Sequence, residues 1–292
     1  MRIVVKDIAD FCLFSNIYVA LGASALTIST YFLAGFSLQF AYPAFVFFST
    51  LFLYNFQRVV LSKNYDSIKG SVRHQWILSN RNFIFLQLLL ASIGLVICVF
   101  AIGMFLILYI APFTLFSVFY FLPFVNLRKV PGLKAFMVSF IWAIITVSFP
   151  FILCQLKDNL ISNLEVIKSS KHIYMFMDRF FLVMPLAIIF NVRDLKHDQE
   201  IGIKTIPALF GITITKIVSV LCLVAFSILV IIQFRNHLYS SQNTTALLFS
   251  GLLSAIFILF NSEKSSEYYY VFAIDGMMLL QGLLVIALQL FE

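Results

Sequence analysis

The sequence predicts an all-α, polytopic membrane protein with about nine transmembrane helices. Three observations predict it. Hydrophobic residues make up 62% of the chain and charged residues only 11%, far from the mixture that water-soluble domains carry. The apolar residues fall in long uncharged runs rather than in short buried stretches. Lys and Arg gather in alternate connections, as the positive-inside rule requires of a multi-span chain.

Phe11 to Gln57 and Asn82 to Leu127 contain no Asp, Glu, Lys or Arg. Each holds two helices of about 20 residues, the length that crosses a bilayer core. Each therefore reads as a hairpin, bent at Ala34-Gly35-Phe36-Ser37 and at Ala101-Ile102-Gly103. Single spans follow at Ala135–Leu156, Ile173–Val192, Ile217–Phe234, Leu238–Asn261 and Tyr268–Phe291. Asp178 and Arg179 interrupt the start of the sixth span, and Asp275 lies inside the ninth. Runs this continuous suit helices, which satisfy every backbone polar group internally, better than the short alternating strands of a barrel. No Pro/Gly/Ser linker or soluble appendage divides them, so residues 1–292 read as a single transmembrane domain.

An arrangement with the N-terminus cytoplasmic and the C-terminus outside places most of the basic residues inside. Only Lys157, Lys168, Lys171, Arg179 and Arg235 fall outside. A bacterial inner membrane is the expected location. Asp7 and Asp10 spoil a basic leader, so the first helix reads as uncleaved. The net charge of +7 is accounted for by topology and by attraction to anionic headgroups, with no separate basic stripe to suggest nucleic acid. Cys12, Cys98, Cys154 and Cys222 are scattered singly, and the four histidines show no ligand spacing, so neither zinc nor haem is expected.

Three cytoplasmic loops carry more polar chemistry than a turn needs. Asn55 to Asn82 and Asn126 to Lys134 are basic, whereas Asn191 to Gly211 holds Asp194, Asp198 and Glu200. If the sixth helix continues into that last loop, Asn191, Asp194 and Asp198 share one face about a turn apart. Amide, carboxylate and carboxylate suit Mg²⁺, which takes one or two carboxylates and completes its shell with water and phosphate oxygens. The alternative is that these acids are solvated and balanced by Arg193, Lys196 and Lys204.

Asp194 to Gly211, read as D-x-x-x-D-x-x-x-G-x-x-T-x-P-x-x-x-G, closely resembles the second aspartate motif of the UbiA family of intramembrane prenyltransferases. Weaker likenesses are Tyr120-Phe121-Leu122-Pro123, Pro131-Gly132-Leu133-Lys134 and Trp142. The resemblance implies nine helices around a central cavity, with two aspartate motifs facing each other and Mg²⁺ holding an isoprenoid diphosphate. The allylic carbon then ionises and alkylates a hydrophobic acceptor, often aromatic.

The chain departs from that family at the first motif. Where the family has N-D-x-x-D-x-x-x-D, this sequence runs from Asn55 to Lys63 with Phe56, Val59 and Lys63 at the aspartate positions. A single Mg²⁺ site at Asp194 and Asp198 is what remains. Asn55, Arg58, Lys63, Asn191 and Lys204 are then the expected diphosphate contacts, Arg58 and Lys63 standing in for one metal. Tyr120, Arg128 and Lys129 lie near where the family places further contacts, although its Tyr-to-Lys spacing is not kept. Positive-inside anchoring is the alternative for them and for Lys134. Three functions follow: a prenyltransferase; a non-catalytic homologue closed by an ion pair from Arg58 to Asp194 or Asp198; or a carrier of a lipid or quinone.

Overall fold

The computed structural model of the chain describes residues 10–61, 72–103, 132–156, 167–200 and 202–291. The expected fourth helix, and with it Tyr120, Arg128 and Lys129, lies outside these residues, as does Lys63.

The described residues are helical throughout, in an antiparallel bundle. Helix α1 (Ile17–Ala34) starts after Asn16, which holds the left-handed conformation (φ 65) that Asn tolerates better than most residues. It ends at Gly35 (φ 75), where the amides of Gly35 and Phe36 turn back to the carbonyls of Phe32 and Tyr31 at 3.0 and 2.8 Å. This is the first bend the sequence predicts. Helix α2 (Ala41–Leu61) returns. A short helix, α3 (Val72–Ser79), precedes α4 (Arg81–Ile102), which stops at the second predicted bend, Gly103. Helix α5 (Leu133–Ala143) runs through a π turn (Ile144–Ser148) into α6 (Phe149–Leu156). Helix α7 (Ser170–Arg193) tolerates Pro185 within it, as buried membrane helices can, and is followed by the short α8 (Leu195–Glu200). Then come α9 (Ile206–Arg235), α10 (Ser241–Phe260), and a second π turn (Tyr269–Ile274) leading into α11 (Gly276–Phe291).

Seven helical segments are long and apolar enough to cross a membrane, and α2, with 21 residues, has the length. With the fourth span outside the described residues, the arrangement is consistent with nine. The closest helix pairs are α7 with α9, α1 with α11, and α2 with α4. Small residues allow this approach: a methyl group added to Gly282 would lie 2.5 Å from the backbone carbon of Ala25, and one on Gly94 would meet the Phe48 ring at 2.7 Å. The shared core includes Leu26, Val147, Leu182, Leu186, Phe226 and Val285. Leu89, Ile97, Phe100, Leu221, Leu252 and Leu259 point outward in the opposite sense, apolar and exposed, as lipid-facing side chains are. The protein is an integral membrane protein by this construction.

Two departures from the sequence reading have physical causes. Helix α9 begins at Ile206 rather than Ile217, because Thr205 takes the cap position and Pro207 opens the first turn. Gly211 then kinks the helix without ending it (φ 80, ψ 169). Arg179, read as lying outside the membrane, is 3% exposed and buried within α7. There its guanidinium donates to the Leu26 carbonyl at 3.0 Å and to Thr146, Ser29 and Thr30 at 3.3, 3.3 and 3.5 Å. Asp178, beside it, faces the other way and accepts from Gln233 at 2.8 Å and Tyr239 at 2.9 Å.

Candidate active site at one end of the bundle

The acidic motif is a joint between helices. Helix α7 stops at Arg193, and Asp194 follows with φ −89 and ψ 2, so the helix does not continue to Asp198. The two acids remain one turn apart, since the Asp198 amide donates to the Asp194 carbonyl at 2.9 Å across the start of α8. The residues after them each meet a backbone demand. Gly202 is left-handed (φ 70), and beside it the Ile203 amide closes on the Asp198 carbonyl at 2.8 Å. Thr205 and Pro207 open α9, and Gly211 adopts a conformation essentially open to glycine alone. Gly132 (φ 75) starts α5 so close to α9 that an added methyl would touch Ile206 at 3.5 Å.

That contact brings Lys134 to the acids. Its Nζ lies 3.9 Å from Asp194 Oδ2, while Arg193 Nε and Nη2 donate to the two Asp194 oxygens at 2.7 and 3.1 Å. Arg193 also lies over the rings of Phe190 and Tyr270, 5.1 and 6.0 Å from their centroids. Among the described residues the ion pairs of Asp194 therefore run to Arg193 and Lys134 rather than to Arg58. Burial raises a carboxyl, but here the Arg193 guanidinium overrides it, aided by Lys134 and Arg58, and holds Asp194 at about 2.

A folded value below the ordinary 3.8 means that this pairing stabilises the protein fully above about pH 5 and is lost as the pH falls through 3.8 toward 2. Thermal midpoints in detergent measured against pH are expected to separate wild type from Asp194→Asn above that window and to converge below it. Parallel curves across the whole range would remove the Arg193 pairing as a source of stability.

Asn191 is 1% exposed, and its side-chain oxygen has no hydrogen-bond partner among the described residues. Asp198 is buried to 7% exposure, and Lys204 is exposed.

Across the bundle, Asn55 sits in a knot of amides. Its oxygen accepts from Asn16 at 2.7 Å, and its nitrogen donates to the Ser15 carbonyl at 3.2 Å and to Gln87 at 3.3 Å. Arg73, from α3, adds a hydrogen bond to the Asn16 oxygen, and its backbone amide donates to Glu267 at 2.8 Å. Arg58, one turn beyond Asn55, is half-buried. Asp275, delivered by the second π turn, lies within electrostatic range of Arg73, Arg193 and Arg58. Arg73, Arg193, Glu267 and Asp275 are the residues sequence reasoning missed as a group. Asp275 was conspicuous as an acid inside a span, while Arg73 and Arg193 were hidden by the general excess of basic residues on that side.

Among the described residues, no group of three or more His, Cys, Asp and Glu side chains is placed to hold a metal. Asp194 and Asp198 offer two carboxylates, and both oxygens of the first already face Arg193. A divalent ion here would need water and phosphate oxygens for most of its shell, a composition that Mg²⁺ accepts.

No family model matches the chain, and no curated protein matches it by sequence. By fold it is similar to the apo structure of a UbiA homolog from Aeropyrum pernix K1, with 13% identity, 96% of this chain and 97% of that chain covered, and a TM-score of 0.57. It is similar in the same way to a structure of digeranylgeranylglyceryl phosphate synthase, at 12% identity, 97% of each chain and a TM-score of 0.57. The likeness spans nearly the whole of each chain, at identities that speak for fold alone.

Proposed function

From this UbiA-like fold, we propose that the protein is a membrane prenyltransferase, moving an isoprenoid group from its diphosphate to a hydrophobic acceptor, aromatic or lipid. The observation that supports the proposal is the second motif: its glycines, threonine and proline build the joint that carries Asp194 and Asp198, with Arg193 and Lys134 paired to Asp194 and Arg58 within electrostatic range of it. In this reading Asp194 and Asp198 would hold a single Mg²⁺, whose chemistry is to neutralise the departing diphosphate. Lys134, Arg58 and Lys63 supply fixed positive charge to the same oxygens, and Asn191 and Lys204 flank them. Tyr120, Arg128 and Lys129 complete the expected contacts. The apolar interior takes the prenyl tail and keeps water from the allylic cation. The N-terminus lies in the cytoplasm and the C-terminus outside, in a bacterial inner membrane.

The test is release of inorganic diphosphate from allylic prenyl diphosphates of several lengths, with Mg²⁺ and a membrane-lipid extract as the acceptor pool. Asp194→Ala and Asp198→Ala are each expected to lower release by about 100-fold or more, the scale of losing a main electrostatic contact in a transfer step. Release that survives both substitutions would overturn the assignment. The fork of Arg193 on Asp194 favours a second reading, a UbiA-like protein whose site is closed by ion pairing. Absence of release by the wild type at every chain length selects it.

A further inference from the structure

Where the resemblance calls for a second metal cluster, the described residues bring guanidinium groups. Arg58 stands one turn beyond Asn55 on α2, and Asn55 is tied through Asn16 to Arg73 on α3. Arg73 is 5% exposed, with its Nε hydrogen unpartnered among the described residues. A buried N–H donor without an acceptor is costly to keep, and a guanidinium presents several in a fixed fork. Arg58 makes no ion pair or hydrogen bond among the described residues. It lies within electrostatic range of Arg193 and Asp194 and of Glu267, which bonds the Arg73 backbone. The nearby acids do not close on these two arginines. Glu267 accepts from the Arg73 backbone rather than from its guanidinium. Asp275 is in range of the arginines but forms no ion pair with them among the described residues. Asp194 is engaged by Arg193 and Lys134. Two arginines within electrostatic range of each other and of Arg193 thus keep donor capacity left over among the described residues.

We propose that Arg58 and Arg73 form a direct phosphate site, which binds the phosphate head of a lipid-tailed substrate without any metal ion. The inference rests on the diphosphate reading above and deepens it: metal at Asp194 and Asp198 serves departure of the leaving group, whereas binding of the ground state does not need it. Fork-to-oxygen hydrogen bonds of this charge-assisted kind are strong enough to hold a phosphate alone.

The test is equilibrium binding of a non-hydrolysable prenyl diphosphate analogue to purified protein, once in EDTA and once in Mg²⁺, with phosphatidic acid as a second probe. The analogue is expected to bind in EDTA within about threefold of its affinity in Mg²⁺. Arg58→Gln is expected to weaken it tenfold or more in both media without moving the thermal midpoint, since Arg58 makes no ion pair or hydrogen bond among the described residues, and Arg58→Lys is expected to restore part of the affinity. Arg73→Gln should weaken binding too, but it also unties Asn16, so the weight falls on Arg58. Binding that requires Mg²⁺ and ignores Arg58→Gln overturns the inference and leaves the prenyltransferase reading standing. If only phosphatidic acid binds, in EDTA and dependent on Arg58, the arginine site holds and the diphosphate substrate falls. If neither probe binds in either medium, both fall.

Discussion

Arg179→Leu is expected to lower the thermal midpoint of the protein in detergent by roughly 10 °C, from a loss of about 3 kcal/mol. The cost does not come mainly from the hydroxyls that Arg179 contacts. Ser29, Thr30 and Thr146 each also donate to a carbonyl in their own helix, at 2.7, 3.2 and 2.8 Å, and stay satisfied without it. It comes from Asp178, 5% exposed, which would be left as a buried acid with no neighbouring cation. The two make no direct ion pair among the described residues, but neighbouring buried charges of opposite sign offset one another, and removing one is more damaging than replacing both. The double substitution Asp178→Leu with Arg179→Leu is therefore expected to recover a large part of the lost stability. If the double variant is as unstable as the sum of the singles, the two charges are not coupled and the explanation fails.

Asn55→Leu carries the second large effect. It strips the acceptor from the Asn16 amide and the donor from Gln87 and the Ser15 carbonyl, all in a buried pocket where water cannot replace them. Each orphaned polar group costs about 1–3 kcal/mol. A destabilisation of about 2–4 kcal/mol, read as a fall in thermal midpoint, is the expected result, with Asn55→Asp only partly tolerated. Resemblance assigns Asn55 to the diphosphate, and the substitution separates that role from the knot. A variant with the wild-type midpoint that fails to bind the prenyl diphosphate analogue would make Asn55 a ligand contact and remove the knot as its main role.

The spans were legible because hydropathy in a bilayer is a statement about solvent, and residues such as Leu89, Phe100 and Leu221 meet that solvent directly. The bends at Gly35 and Gly103 were legible for a different reason: both adopt positive φ, at 75° and 112°, which glycine supplies without strain. The acidic motif was legible through its backbone requirements, since Gly202, Thr205, Pro207 and Gly211 are there to build the joint. The π turns leave no mark on a hydropathy profile, so the placement of Asp275 could not be read. Arg58 was read from the lost first motif, but its company with Arg73 and Arg193 stayed hidden because the three come from separate helices. The positive-inside bias also gave Arg73 and Arg193 a sufficient separate explanation. Lys134 illustrates the same limit: anchoring by the positive-inside bias was the better reading of it from the sequence, yet it lies 3.9 Å from Asp194.

The π turn at Tyr269–Ile274, marked by the Asp275 amide reaching the Tyr270 carbonyl at 3.0 Å, amounts in evolutionary terms to an inserted residue. One extra position in a helix turns everything after it by about 100°. Phe272, 61% exposed before the turn is complete, and Asp275, turned toward the arginines after it, thereby belong to different sides of one helix. Gly276 then falls against the Tyr18 side chain of α1, and Gly282 against the Ala25 backbone, where no side chain would fit. Insertion and deletion in this last span are consequently not neutral lengthening or shortening. A lineage that lost the extra residue would have to exchange the acid, both glycines and their partners on α1 together.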